Sequence, residues 1–224
     1  MLGMKIPLRS AVLVIAALLL AGCAWFQTRE DLSASELAAE GMDAYDFGNY
    51  KTAIEHFEKL KDWYPYSKFA TLAELKIADA QYRLEAYEEA IAAYESFENL
   101  HPRNEAIPYV IYQTGKCYFD RLDAVDRDQT YARKALEVFT RLINRFPDDD
   151  YTRKAEAHIK DCWKSLAGHD FYVGLYYFNK KRPKAALERF KRVLFNYPDV
   201  GVHHMALQYI AECEVQVAAD KAKP

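Results

Sequence analysis

The sequence predicts an all-α fold, a superhelical solenoid of about five stacked helix pairs. Four prolines carry the first sign of it: Pro65, Pro102, Pro147 and Pro198, in the contexts "WYP", "LHP", "RFP" and "NYP". Twelve residues before them stand Ala53, Ala90, Ala135 and Ala186, followed in turn by Ile54, Ile91, Leu136 and Leu187. Eight residues before them stand Phe57, Tyr94, Phe139 and Phe190. Residues four apart stack on neighbouring turns, so Ala and the aromatic share one helical face, and each proline ends its run by steering its predecessor out of the α region. Upstream of each run lies a second amphipathic stretch, and in three of them the residue 24 before the proline is small: Gly41, Ala78 and Gly174.

In chain order, Met1–Ser10 carries Lys5 and Arg9, and Ala11–Leu20 is unbroken Ala, Val, Leu and Ile. A bilayer core needs about 20 apolar residues, so this shorter run reads as a removable export signal over 1–22 rather than a span. "LAGC", Leu20–Cys23, resembles the bacterial lipobox. That resemblance implies a diacylglycerol and an N-acyl chain on Cys23, which becomes the mature N-terminus; several acyl chains together anchor a protein stably. Ala24 stands where an Asp would oppose sorting to the outer membrane in the enteric lipoprotein pattern. Residues 23–33 form a tether reaching at most roughly 35 Å.

The first pair opens on a capping box, Ser33 with Glu36, ahead of "SELAAEGMDAYDFG". "ATLAELKIADAQYRL" opens the second pair, "IPYVIYQTGKCYFD" the third and "DFYVGLYYFNK" a later one. In the third, the small residue is Gly115, displaced by eight positions, and "DAVDRDQTYARKAL" lengthens the connection. Helical runs from Tyr151 to Ala167 and Val202 to Ala218 add partners; Tyr151 to Lys180 reads equally as one helix or as two broken near Gly168. The organisation is N-terminal repeats over 34–122, C-terminal repeats over 123–218 and a flexible tail over 219–224. The pattern resembles the tetratricopeptide repeat, with the first pair matching best through Gly41, Gly48, Tyr50, Ala53, Phe57 and Pro65.

Stacked pairs of this kind form a concave groove lined by the first helix of each pair. Its expected lining includes Met42, Tyr45, Asp46, Leu75, Asp79, Tyr82, Arg83, Tyr109, Tyr112, Lys116, Phe119 and Asp120. Aromatic rings give contact area at low entropic cost, and interspersed charges orient an extended peptide. A peptide ending in an aromatic residue and a free carboxylate suits Lys116 or Arg83. Each tyrosine taken singly reads equally well as packing between helices.

Charge is unevenly spread. Residues 24–106 hold 17 Asp/Glu against 8 Lys/Arg, whereas 107–224 hold 16 against 20. Two surfaces with different partners follow, and the balance gives no support to nucleic-acid binding. "NKKRPKAALERFKR", containing Arg182, Arg189 and Arg192, suits an acidic partner surface or a solvated helix face. The charged insertion with Arg127 and Asp128 is expected to be a loop available to a partner. Cys117, Cys162 and Cys213 sit among apolar neighbours and read as buried free thiols, with a single disulfide as the alternative.

No nucleophile elbow, phosphate-cradling glycine loop or HExxH occurs. His158 with Cys162, and His203 with His204, lack the further ligands that a metal site needs. Binding is therefore the expected role, with neither catalytic nor metal-ligating residues and no cofactor beyond the lipid on Cys23.

Longer stretches point further. "AIEHFEKLKDWYPYSKFATLAELKIADAQY" is similar to the first inter-repeat segment of the BamD (ComL) family of outer-membrane lipoproteins, where a YP[FY] turn precedes an Ala/Leu-rich helix. "NLHPRNEAIPYVIYQTGKCYF", "DRDQTYARKALEVFTRLINRFPDDDYTRKA" and "LAGHDFYVGLYYFNKKRPKAALERFKRVLFNYPD" resemble its later blocks in order, departing at Arg103 and Asn104. The resemblance implies a lipid-anchored scaffold on the periplasmic side of the outer membrane, within the β-barrel assembly machinery. Its partners would be the periplasmic domains of BamA, other assembly-machine lipoproteins and the C-terminal targeting peptides of unfolded outer-membrane proteins. By position, Tyr64, Tyr66, Phe69, Tyr82 and Tyr112 fall in the peptide-receiving part and Arg189 in the scaffold-binding part. A pilotin or other envelope adaptor is the alternative; a peptidoglycan-associated enzyme lacks its catalytic set.

Overall fold

The computed structural model describes residues 32–222. The expected leader, Cys23 and most of the tether lie outside the described residues. Those described form nine helices and no strand: α1 (Ala34–Asp46), α2 (Tyr50–Trp63), α3 (Ala70–Arg83), α4 (Tyr87–Leu100), α5 (Ile107–Phe119), α6 (Thr130–Arg145), α7 (Asp150–Asn179), α8 (Pro183–Asn196) and α9 (His203–Lys221). Each helix packs on the next in chain order, and α5 also packs on α7. This is the helical solenoid that the proline-anchored repeat predicts.

The sequence pattern becomes packing at one recurrent contact. The aromatic residues Phe57, Tyr94, Phe139 and Phe190 are each 0% exposed. Three of them lie flat against a glycine of the partner helix: a Cβ on Gly41 would stand 2.6 Å from Phe57, one on Gly115 2.5 Å from Phe139, and one on Gly174 2.6 Å from Phe190. Gly115 therefore occupies the same structural place as Gly41 and Gly174, and the loop 120–129 absorbs its eight-residue displacement. Burying one such ring removes enough apolar area to contribute about 1.5–3 kcal/mol, so these contacts form the spine of the three core clusters.

Start and stop signals match the helix ends. Ser33 accepts from the Glu36 backbone at 3.3 Å while Glu36 Oε2 accepts from the Ser33 backbone at 2.8 Å, which is the capping box expected for α1. Within three pairs the chain reverses through a left-handed residue, Gly48 (φ 79°), Glu85 (φ 59°) or Lys181 (φ 55°), each 17 residues before its proline.

The stretch from Tyr151 onward lies in one helix of 30 residues, Asp150–Asn179, capped by Lys180, so α7 serves as two array members at once. Gly168 does not break it; the missing side chain admits Val125, whose Cγ1 would be 3.0 Å from a Cβ there. At the far end α9 runs through Lys221, past the expected start of a flexible tail at 219, and buries only Ala206 and Cys213. Cys117, Cys162 and Cys213 are free and buried, and burial pushes the first two thiols up to about 12.

Candidate functional site

Helices α1, α3 and α5 carry the expected groove residues, and their contacts gather an aromatic, charged face that His158 of α7 closes on one side. Beneath it lies Asp79, 3% exposed. Its Oδ1 accepts from the hydroxyls of Tyr94 (2.8 Å) and Tyr109 (2.6 Å), and its Oδ2 lies 3.2 Å from Lys76 Nζ. Burial, then the Asp79 charge, drives both tyrosine pKa values far above the usual range. Asp79 is thus a hub that locks α3, α4 and α5 together under the face rather than a side chain on it.

Above the hub, Asp120 at the end of α5 joins two residues expected to meet a ligand. Tyr82 donates to its Oδ2 at 2.5 Å, and Lys116 Nζ lies 2.6 Å from its Oδ1. Burial, followed by that hydrogen bond, raises the Tyr82 pKa well above its ordinary value. Lys116 also stands 5.3 Å from the Phe119 ring centroid. The ammonium therefore already holds a carboxylate.

Arg83 is different. It is exposed and makes no ion pair among the described residues. Its guanidinium lies 5.9 Å from the Tyr50 ring centroid, and the Tyr50 and Tyr45 hydroxyls beside it raise its pKa further. Tyr45 and Tyr50 meet edge to face at 5.3 Å, and Lys76 stands 4.9 Å from the Tyr45 centroid. A planar cation framed by two rings, with its outward donors unclaimed by acid, suits bidentate recognition of a carboxylate.

Farther along, Tyr112 Oη and His158 Nε2 are 3.1 Å apart, and the imidazole packs on Phe119 (4.3 Å) and Phe139 (5.3 Å). Burial and then Lys116 lower the His158 pKa, keeping the ring neutral. Leu75 packs at the edge of the central cluster. The α2–α3 corner carries the rest: Tyr64 donates to the Leu32 carbonyl at 3.0 Å, Phe69 packs into the first cluster, and Tyr66 is fully exposed at 101%. Tyr50 and Tyr151 complete the face, and sequence reasoning did not assign them to it. Tyr50 had a signal, lying five residues beyond Tyr45 across the Gly48 turn.

The basic end is built around Asp170, 2% exposed. Arg189 Nη1 donates to its Oδ1 at 2.8 Å, Tyr197 to its Oδ2 at 2.7 Å, and Arg192 Nη2 lies 3.3 Å from Oδ2. Arg189 and Arg192 thus tie α8 to α7, while Arg182 is exposed at the α7–α8 turn. Arg127 is exposed at the tip of the 120–129 loop, where the Asp128 carboxylate accepts from the Thr130 backbone at 2.7 Å; the Thr130 hydroxyl and then that backbone contact lower its pKa. Gln129 is buried and donates to the carbonyls of Ala124 (3.0 Å) and Arg127 (3.3 Å), while its Oε1 accepts from Ser165 at 2.5 Å. The loop is laid firmly along α7. Among the described residues no group of three or more His, Cys, Asp or Glu is placed to hold a metal ion, and no helix is long and apolar enough to cross a membrane.

Comparison with known proteins adds the lineage. The family model for YfiO, described as an outer membrane lipoprotein, matches residues 30–224. The chain belongs to this family. It is 32% identical over 223 residues to outer membrane protein assembly factor BamD of Rickettsia prowazekii, covering 98% of this chain and 89% of that one. It is 30% identical over 217 residues to the Caulobacter vibrioides protein of the same name, covering 95% and 70%. Among solved structures, the TPR2AB-domain:pHSP90 complex of yeast Sti1 aligns at 18% identity over 83% of this chain and 71% of that one, with a TM-score of 0.46.

Proposed function

We propose that this chain is a non-catalytic, lipid-anchored subunit of the outer-membrane β-barrel assembly machinery, working on the periplasmic side of that membrane. Its N-terminal repeats receive C-terminal peptides of unfolded outer-membrane proteins. Its C-terminal repeats hold the periplasmic domains of BamA, with other assembly lipoproteins alongside. The BamD names of its relatives support the setting, and the Cys23 lipid would supply the anchor without any cofactor.

The observation that carries the peptide reading is Arg83. It is a framed cation without an acidic partner, set beside Tyr45, Tyr50 and Tyr82 on a face that Asp79 makes rigid. The peptide carboxylate would pair with the guanidinium, and its terminal aromatic ring would pack among the tyrosines, where stacked or edge contacts add about 0.5–1.5 kcal/mol beyond area burial. Lys116 is held back by Asp120 and serves as the second cation. On the other half, Arg127 presents unburied charge to the scaffold, and Arg189 and Arg192 fix α8 against α7.

Photocrosslinking residues placed at Tyr45, Tyr82 and Tyr112 test this with a peptide that ends in an aromatic residue. Capture is expected with a free C-terminus and reduced about tenfold or more when the terminus is amidated or Arg83 is Ala, since a charged hydrogen bond contributes about 1.5–3 kcal/mol. No capture of peptide or unfolded barrel protein, with BamA binding intact, overturns the groove assignment.

A further inference from the structure

The turn between α7 and α8 carries a cationic, aromatic cleft. Tyr176, Tyr177, Lys180 and Arg182 line about 270 Å³ of space there, and no acidic side chain is among them. The two tyrosine rings meet edge to face at 5.5 Å, and Lys180 Nζ stands 5.8 Å from the Tyr176 centroid. Lys181 and Lys184 are exposed beside it, and Asp220 lines the adjoining cleft with Arg182 and Lys184. One turn earlier on α7, Tyr172 is 46% exposed and Tyr176 54%. The last turns of α7 therefore present tyrosine rings that lead into a run of cations.

The fold does not require this charge. The structurally equivalent turns are Phe47–Gly48–Asn49 and Leu84–Glu85–Ala86, which contain no cation and reverse the chain through the same left-handed geometry. A cation at a helix C-terminus complements the macrodipole, which accounts for Lys180 as the cap of α7 but not for Lys181, Arg182 and Lys184. Nor are the exposed rings of Tyr172 and Tyr176 needed for the core, which Phe190 fills with Tyr177 packed at its edge.

We propose that this cleft binds the phosphate of an anionic lipid headgroup and so lays the C-terminal end of the array on a membrane surface. The guanidinium of Arg182 offers parallel donors to phosphate oxygens, and Lys180 adds a mobile point charge. Tyrosine is an amphipathic ring that settles at headgroup depth. Lysine is depleted from protein interfaces, whereas Lys180, Lys181 and Lys184 gather around this cleft. Charge complementarity to an anionic bilayer thus selects the lipid. The contact is weak alone and gains from a second attachment at the opposite end of the chain, as expected at Cys23, because tethering raises the effective concentration.

The test uses the chain with Cys23→Ser, so that no acyl anchor masks the contact, sedimented with vesicles of phosphatidylcholine alone or mixed with phosphatidylglycerol. Binding is expected to the mixed vesicles only and to fall as salt rises. The Lys180→Ala/Arg182→Ala double variant should bind about thirtyfold more weakly with unchanged helical circular dichroism, each cation near an anionic surface counting for about fivefold. A Lys180→Arg variant should retain binding. Equal binding to the neutral vesicles, or an unaffected double variant, overturns the proposal. Complete displacement by millimolar inorganic phosphate would reassign the cleft to a free anion. Loss of a co-purifying envelope protein from the double variant, with vesicle binding intact, would reassign it to an acidic protein surface.

Discussion

Gly115→Ala reverses the usual effect of its substitution. In a helix interior, replacing Gly by Ala ordinarily stabilises by about 1 kcal/mol. At Gly115 the new Cβ would stand 2.5 Å from Phe139 Cε1, 2.7 Å from Cδ1 and 2.9 Å from Cζ, where carbon atoms settle at about 3.5–4.0 Å. The Phe139 ring cannot swing aside: it is 0% exposed, stacked on His158 at 5.3 Å and flanked by Tyr112 at 5.9 Å and Phe119 at 6.3 Å. Overpacking of this kind costs about 1–3 kcal/mol, and three atoms of a pinned ring inside 3.0 Å put the cost in the upper part of that range, at about 2–3 kcal/mol, so after the helix gain the net loss is about 1–2 kcal/mol. For a chain of this size that lowers the thermal midpoint by about 2–8 °C, read by circular dichroism alongside a urea titration. Gly168→Ala is the internal contrast. Its neighbour at 3.0 Å is a methyl of Val125, 40% exposed on a loop, so the change is expected to be neutral or to stabilise by up to about 1 kcal/mol. A Gly115→Ala protein as stable as the parent would refute the reading of the recurrent glycine–ring contact as the spine of the array.

Asp79→Ala should cost about 3 kcal/mol in urea unfolding, because it strands two buried tyrosine hydroxyls and Lys76 together; a loss below about 1 kcal/mol would remove it from the hub role. Asp120→Asn should strengthen capture of a free-carboxylate peptide by up to about fivefold, the worth of a partly exposed ion pair, by releasing Lys116; weaker capture would count against Lys116 as a second cation. His158 sets a pH dependence. Its pKa lies below 6.5 in the fold, so well above 6.5 the ring is neutral in both states and contributes nothing, while around and below 6.5 the unfolded chain takes up a proton that the native ring refuses. Stability should therefore fall as pH drops below 6.5, and less steeply in His158→Gln with Lys116, Asp120 and Asp161 unchanged around it; identical slopes would contradict the assignment.

The repeat was legible because it is local. Proline, aromatic and Ala recur at fixed offsets within one helix, and the small residue that meets the aromatic sits in the helix just before, so counting along the chain finds each pair. Gly115 shows the limit: an insertion shifts its number without shifting its contact, and only packing reveals that Phe139 still lies on it. The neighbour that Gly168 meets in the middle of α7 is Val125, some forty residues earlier in the chain, which no window around the glycine contains. Asp79 and Asp170 show the same limit at the candidate sites. Helical spacing places Asp79 in line with Tyr82 and Arg83, yet hydroxyls from α4 and α5 converge on it and draw it under the surface. Arg189 and Arg192 read as free surface charge until Asp170 from the neighbouring helix claims them. Charges whose partners come from other helices are invisible to periodicity, whereas Arg83, which has no acidic partner among the described residues, was placed by position alone.

A binding scaffold in outer-membrane assembly should bring its partner with it when the lipidated chain is affinity-purified from detergent-solubilised envelopes. BamA should be recovered with the parent chain, and still with Arg83→Ala, since the proposed peptide face and the proposed scaffold-binding half lie in different repeats. Recovery of a secretin in its place, or of neither protein from envelopes in which both are present, would contradict the scaffold role.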